Sequence, residues 1–143
     1  MKLSMLLWAA SLLPQPNADQ VCLAATVYLE ARDQPTEGQV AVAEVALRRQ
    51  ASGHHGDSLC EVLQKPKQFA LTLVSPNMRI RNPKAWLKAW DIATDTIDLW
   101  ELPNPLRLEV APGANHFVAS RIGKPHWAVG DPIAIIGDHV FYK

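Results

Sequence analysis

From Val21 to Leu29 almost every side chain is apolar, and the run Val21-Cys-Leu-Ala-Ala-Thr-Val-Tyr-Leu29 then ends on an acid, Glu30, followed by Ala31 and Arg32. A helix apolar nearly all round is a buried helix. The pattern therefore predicts a core helix from about Asp19, a suitable N-cap, to about Ala31. Asp33-Gln34-Pro35 breaks it. Pro35 suits the first turn of a second helix, with Glu37 in the turn that favours acids. Val40, Val42, Ala43, Val45, Ala46 and Leu47 carry that helix to Arg48-Arg49, whose cations suit its C-terminal end. Ser52-Gly-His-His-Gly56 reads as a loop, and Asp57 as the cap of a short third helix through about Leu63, ended by Lys65-Pro-Lys67. A looser segment carries Gln68-Phe69. Asn82-Pro83 then opens the longest helix, Lys84 to about Leu99, where Trp86, Trp90, Ala93 and Ile97 recur at spacings of four, three and four.

Beyond Pro103-Asn-Pro105 the period changes to two. Leu106, Leu108 and Val110 alternate with polar residues, and Asn115–Ala119 and Ile133–Ile136 also read as strands. Gly137-Asp138 marks a turn before Val140-Phe-Tyr142. Helices first and a small antiparallel sheet toward the C-terminus indicate an α+β domain. No linker or internal repeat divides the chain, so residues 19–143 form a single domain of ordinary size.

Residues 1–18 stand apart. Lys2 precedes an apolar stretch, Leu3 to Leu13, and then Pro14-Gln-Pro-Asn-Ala18. This has the basic start, apolar length and small-residue exit of a secretory signal, with cleavage expected after Ala18, although Pro16 fits such a site poorly. The alternative is an amphipathic N-terminal helix that stays on the protein and packs against the core. Cys22 and Cys60 bear on the same choice: in an exported protein they are natural disulfide partners, in a cytosolic one two buried thiols.

Composition narrows the functional classes. Fourteen Lys and Arg balance fourteen Asp and Glu, so no bulk field draws the chain to nucleic acid or to a membrane surface. No apolar run reaches the roughly 18 residues of a membrane span, so stable membrane insertion is not expected. There is no CxxC, no HExxH and no GxSxG, and His54-His55 adjoin in a glycine-flanked loop where they cannot share a helix face. The expectation is a monomer without metal or other cofactor.

Glu30 is the residue the pattern makes most chemical. At the edge of a core, desolvation favours its neutral form and raises its pKa. A carboxylic acid kept protonated near neutrality suits proton donation to a leaving glycosidic oxygen. The structural alternative is an ion pair with Arg32 or a more distant cation.

Read together, the segments Cys22-Leu-Ala…Tyr28-Leu-Glu30-Ala-Arg32, Glu37-Gly-Gln-Val-Ala-Val-Ala43, Cys60, Gln68-Phe69, Ala114-Asn-His116-Phe, Pro125-His-Trp127 and Ile136-Gly-Asp-His139-Val-Phe-Tyr142 resemble, in order, the SleB-type cell-wall hydrolase family, the spore-cortex-lytic group and its relatives in Gram-negative bacteria and phages. The resemblance spans about residues 20 to 142. It implies a lysozyme-like α+β fold acting on peptidoglycan glycan strands, at the β-1,4 bond between N-acetylmuramic acid and N-acetylglucosamine. It also implies a place outside the cytoplasm, in the periplasm or cell wall, for a bacterial enzyme or a released phage lysin alike. The family's catalytic acid, the glutamate of Glu-Ala-Arg, maps onto Glu30.

The shared segments nominate Gln68, Phe69, His116, Trp127, His139 and Tyr142 as substrate-contacting residues. A turn contact is the alternative for Gln68, and structural hydrogen bonding for the histidines. Trp86 and Trp90 suit a sugar groove by chemistry and the core by spacing. Three positions depart from the family pattern: Asp33-Gln34 where Gly-Glu is usual, Leu47-Arg48 where Asn-Arg is common, and Val118 where a second histidine is frequent.

A hydrolase of the usual type needs two flanking carboxylates. Glu37 and Glu44 are the nearest candidates, but on the second helix they read as capping or solvent-facing. A single acid suffices if, after donating its proton, it accepts one from the muramic acid C6 hydroxyl, giving a 1,6-anhydro product. That lytic transglycosylase outcome is preferred to a muramidase with a second carboxylate. The rivals in other classes are a zinc amidase and a non-catalytic wall-binding module.

Overall fold

Six α-helices precede the sheet in the computed structural model, which describes residues 1–143: α1 (Leu3–Ser11), α2 (Asn17–Ala31), α3 (Thr36–Ser52), α4 (Leu59–Leu63), α5 (Ala70–Leu73) and α6 (Pro83–Trp100). The strands β1 (His116–Ala119), β2 (Ala134–Ile136) and β3 (His139–Tyr142) follow. α2 is the axis of the molecule. It packs against α1, α3, α4, α5 and α6, and Cys22 through Val27 have no exposed surface. Small residues make this possible: Ala24, Ala25 and Ala31 on α2, Ala41, Ala43 and Ala46 on α3, and Ala89 and Ala93 on α6 are buried together. Trp86 and Trp90 pack against the α6 side of this core and neither lines the Glu30 cleft, Trp86 meeting Tyr28 edge-on at 6.2 Å between centroids.

The helix ends differ in detail from the pattern. α2 begins at Asn17, so Asp19 lies in its first turn, where its carboxylate accepts the Cys60 amide at 3.0 Å. Ser58, not Asp57, caps α4, accepting from Glu61 N at 3.1 Å. Asn82 caps α6 by accepting from Ala85 N at 3.0 Å, with Pro83 in the first turn. Cys22 and Cys60 form a disulfide with their Cα atoms 5.4 Å apart, fastening α2 to α4. α1 packs on α2 with Leu3 and Ala10 in the core, and Leu3 N donates to Met78 O at 2.7 Å. No helix is long and apolar enough to cross a membrane.

The sheet is antiparallel in the order β1-β3-β2, with Phe117 opposite Phe141 and Ile136 opposite His139. Phe141, on the central strand, is fully buried. Gly137 turns the β2–β3 hairpin at φ 55°, and a Cβ there would strike the Gln34 amide and the Pro35 ring. The turn is held to the α2–α3 junction by Gln34, whose Oε1 accepts from Asp138 N at 2.8 Å while its Nε2 donates to the Asp138 carboxylate at 3.1 Å.

The expected strand at Leu106–Val110 does not form. A short 3₁₀ turn spans Asn104–Leu106, and Leu108 is 89% exposed. The reason lies in Glu44, which is completely buried instead of capping or facing solvent. Its carboxylate accepts from Val110 N and Ala111 N, each at 2.8 Å, so these amides are already satisfied and recruit no neighbouring strand.

Candidate active site

Glu30 stands in the last turn of α2, where the helix leaves the core. Its Oε1 accepts from the amide of Ala70, the first residue of α5, at 2.7 Å. The carboxyl lines a cleft of about 420 Å³ that is walled by Arg49 and Gln68 on one side and by Phe117, Val118 and His139 of the sheet on the other. Burial raises the pKa of Glu30 above the ordinary carboxylate value, and the Ala70 hydrogen bond and the Arg49 charge oppose the rise without cancelling it. Glu30 is the sole carboxylate among the residues lining this cleft.

Arg49 organises the wall opposite the sheet. Its guanidinium lies over the Phe69 ring at 4.8 Å and is only 7% exposed. Nε donates to Asn115 O at 2.8 Å, one terminal nitrogen donates to Gln68 Oε1 at 3.1 Å, and the other meets His116 Nδ1 at 3.1 Å. Arg49 has no acceptor site, so Nδ1 of His116 is the acceptor and the ring proton of the neutral imidazole sits on Nε2. Burial, then the charge of Arg49, pushes the His116 pKa below its ordinary value, which keeps the ring in that neutral form. Arg49 forms no ion pair with Glu30; the one ion pair in the molecule joins Arg48 to Glu109 at 2.8 Å. Burial lowers the pKa of Arg49 itself, and the charge of Glu30 pulls it back.

The nominated residues fall into three groups. Gln68 and His139 line the cleft with Glu30. His139 is 8% exposed and its Nδ1 has no hydrogen-bond partner. Burial lowers its pKa, while Asp33 and Asp138 raise it. Trp127, 43% exposed, stands beside this cleft against His116 at 4.9 Å and Tyr142 at 5.9 Å. Phe69 and Tyr142 correct the expectation. Phe69 has no exposed surface and holds Arg49 from beneath, and Tyr142, 5% exposed, backs Trp127. Both are buried behind other side chains, Phe69 behind the cleft residue Arg49 and Tyr142 behind Trp127.

The sequence reading passed over Arg49, Phe117 and Arg121 as site residues, all of which line the cleft. Arg49 read only as a cation at a helix end; the Arg48-Arg49 pair divides, one to the Glu109 loop and one to the site. Of the departures from the family pattern, Val118 lies in the cleft wall, whereas Gln34 works in the hairpin clamp and Arg48 holds the loop at Ala114 and Glu109.

Known proteins share the sequence pattern and the fold. The sequence pattern of a family described as Cell Wall Hydrolase matches residues 33–142. The fold is similar to the catalytic domain of the Bacillus cereus SleB protein, at 25% identity and a TM-score of 0.68 over 87% of this chain and 89% of that one. It is similar also to the catalytic domain of the germination-specific lytic transglycosylase SleB from Bacillus anthracis, at 24% identity and a TM-score of 0.69 over 92% of this chain and 100% of that one. The comparison with curated proteins gives no match. The family match begins just after Glu30 and does not include it.

Proposed function

Since the chain belongs to the cell wall hydrolase family, an enzyme family acting on peptidoglycan through a lysozyme-like α+β fold, we propose that it cleaves the β-1,4 bond between N-acetylmuramic acid and N-acetylglucosamine as a lytic transglycosylase, with Glu30 as both acid and base. The carrying observation is a protonatable carboxyl alone in its cleft. Ala70 N holds Oε1, which leaves Oε2 to carry the proton.

The chemistry follows from that arrangement. Glu30 donates its proton to the glycosidic oxygen as the bond to the muramic acid C1 breaks. The resulting carboxylate, now less costly to hold beside Arg49, accepts the proton of the C6 hydroxyl, and O6 closes onto C1. The proton returns to Glu30, no water is consumed, and proximity replaces the second carboxylate. Neutral His116 and Gln68 present hydrogen-bonding groups, and Trp127 a ring face, suited to N-acetylated sugars. The amidase reading predicts a rate abolished by chelator and restored by zinc, and the wall-binding reading predicts no lysis at all.

Clearing of purified peptidoglycan by wild type and by Glu30→Gln tests the assignment. The amide keeps the acceptor for Ala70 N but delivers no proton, so the rate is expected to fall by at least ~10²-fold with the fold intact. A folded variant that clears the polymer within a few fold of wild type overturns it.

A further inference from the structure

The cleft does not end at the sheet. A second hollow of about 200 Å³, lined by Ala119, Ser120, Arg121 and Asp138, adjoins it and shares Ala119 and Arg121 with it. Arg121 thus stands on the wall between the two, in the 3₁₀ turn Ser120–Ile122 that follows β1. Four charged or titratable side chains line the Glu30 cleft, and three are already committed. Glu30 carries the proton, Arg49 is buried and gives three of its five N–H donors to Asn115, Gln68 and His116, and His139 is buried with a lowered pKa. Arg121 is exposed and makes no hydrogen bond, ion pair or aromatic contact. Asp138, the acid nearest in the shared hollow, accepts from Gln34 instead.

We propose that Arg121 is a specificity-determining residue that binds a carboxylate carried by the muramic acid substituent as the glycan lies in the Glu30 cleft. The inference rests on the glycan-cleaving reading above. Muramic acid differs from glucosamine by a lactyl ether, whose carboxyl is free in bare glycan and joined in intact wall to a peptide stem bearing carboxylates of its own. A guanidinium offers a planar pair of donors that matches such a group. Its position between the Glu30 cleft and the adjoining hollow suits a group hanging from the sugar ring. The exposed apolar side chains of Leu73 and Ile122 on the same cleft leave Arg121 as the anion-selective point of the wall.

Sedimentation binding with the Glu30→Gln protein, which leaves the polymer intact, tests this on three substrates: native peptidoglycan, peptidoglycan with its carboxylates converted to neutral amides, and glycan stripped of stems by an amidase. Adding Arg121→Ala is expected to weaken binding to the native polymer about tenfold and to leave binding to the amidated polymer unchanged. A loss on stripped glycan as well shows that Arg121 also takes the lactyl carboxylate freed there, and its disappearance there confines the contact to the stem carboxylates. Equal weakening on native and amidated polymer, or none on the native one, overturns the proposal. Lysis by wild type is scored separately: absence of lysis with the Arg121 effect intact overturns the catalytic reading alone.

Discussion

In the proposed reaction, a carboxyl group at the exit of an apolar helix serves the chemistry at the expense of the fold. Because the folded pKa of Glu30 lies above its ordinary value, its stabilising contribution is fully present below the ordinary carboxylate range and is lost as pH rises through the raised pKa. Glu30→Gln removes the ionisation and keeps an acceptor for Ala70 N. The variant is therefore expected to melt above wild type at neutral and alkaline pH, with the difference closing in acid; thermal melts across pH check this. The rate of the wild type should fall as pH rises through the same pKa, and a rate that stays flat into the alkaline range contradicts the general-acid role. Glu44 is a different case. It too has its pKa raised by burial, but its oxygens are used by Val110 N and Ala111 N. Glu44→Ala strands two buried amides and is expected to cost on the order of 3 kcal/mol in denaturant unfolding, while any residual folded enzyme gives unchanged products.

At the level of elements, α2, α3 and α6 were legible because their apolar positions recur densely enough to define a helix, and β3 because a glycine turn precedes the short run Val140-Phe-Tyr142. The α5 turn was not, since four residues after Phe69 hold too little periodicity, yet its first amide holds Glu30. The absent strand at Leu106–Val110 failed for the opposite reason: the alternation was present, but a buried side chain from α3 had taken the backbone donors. Glu30 was visible in the sequence through its apolar neighbours. Arg49 was not, because its three acceptors come from residues 19 to 67 positions away, and nothing local marks them. The Cys22–Cys60 bridge closes a separation of 38 residues, which in the chain-entropy model stabilises by about 4 kcal/mol. Reductant should lower the melting temperature accordingly, and Cys60→Ala should match the reduced wild type. Unchanged melting on reduction contradicts the bridge as a stabilising feature.

Over the whole molecule, the helical body carries the acid and the sheet carries the opposing wall, so the cleft is the seam between the two halves of an α+β fold. α1 sits outside this division. It buries Leu3 and Ala10 against the body and leaves Met5 and Trp8 more than half exposed. Protein recovered from an exporting host is expected to begin near Asp19, and an intact mass that retains residues 1–18 contradicts this. The central claim is that one carboxyl group, with no second acid in its cleft, performs the whole reaction. Mass spectrometry of the muropeptides released from purified peptidoglycan tests it most directly. The account predicts 1,6-anhydromuramic acid termini with no new reducing ends; reducible muramic acid termini would contradict it.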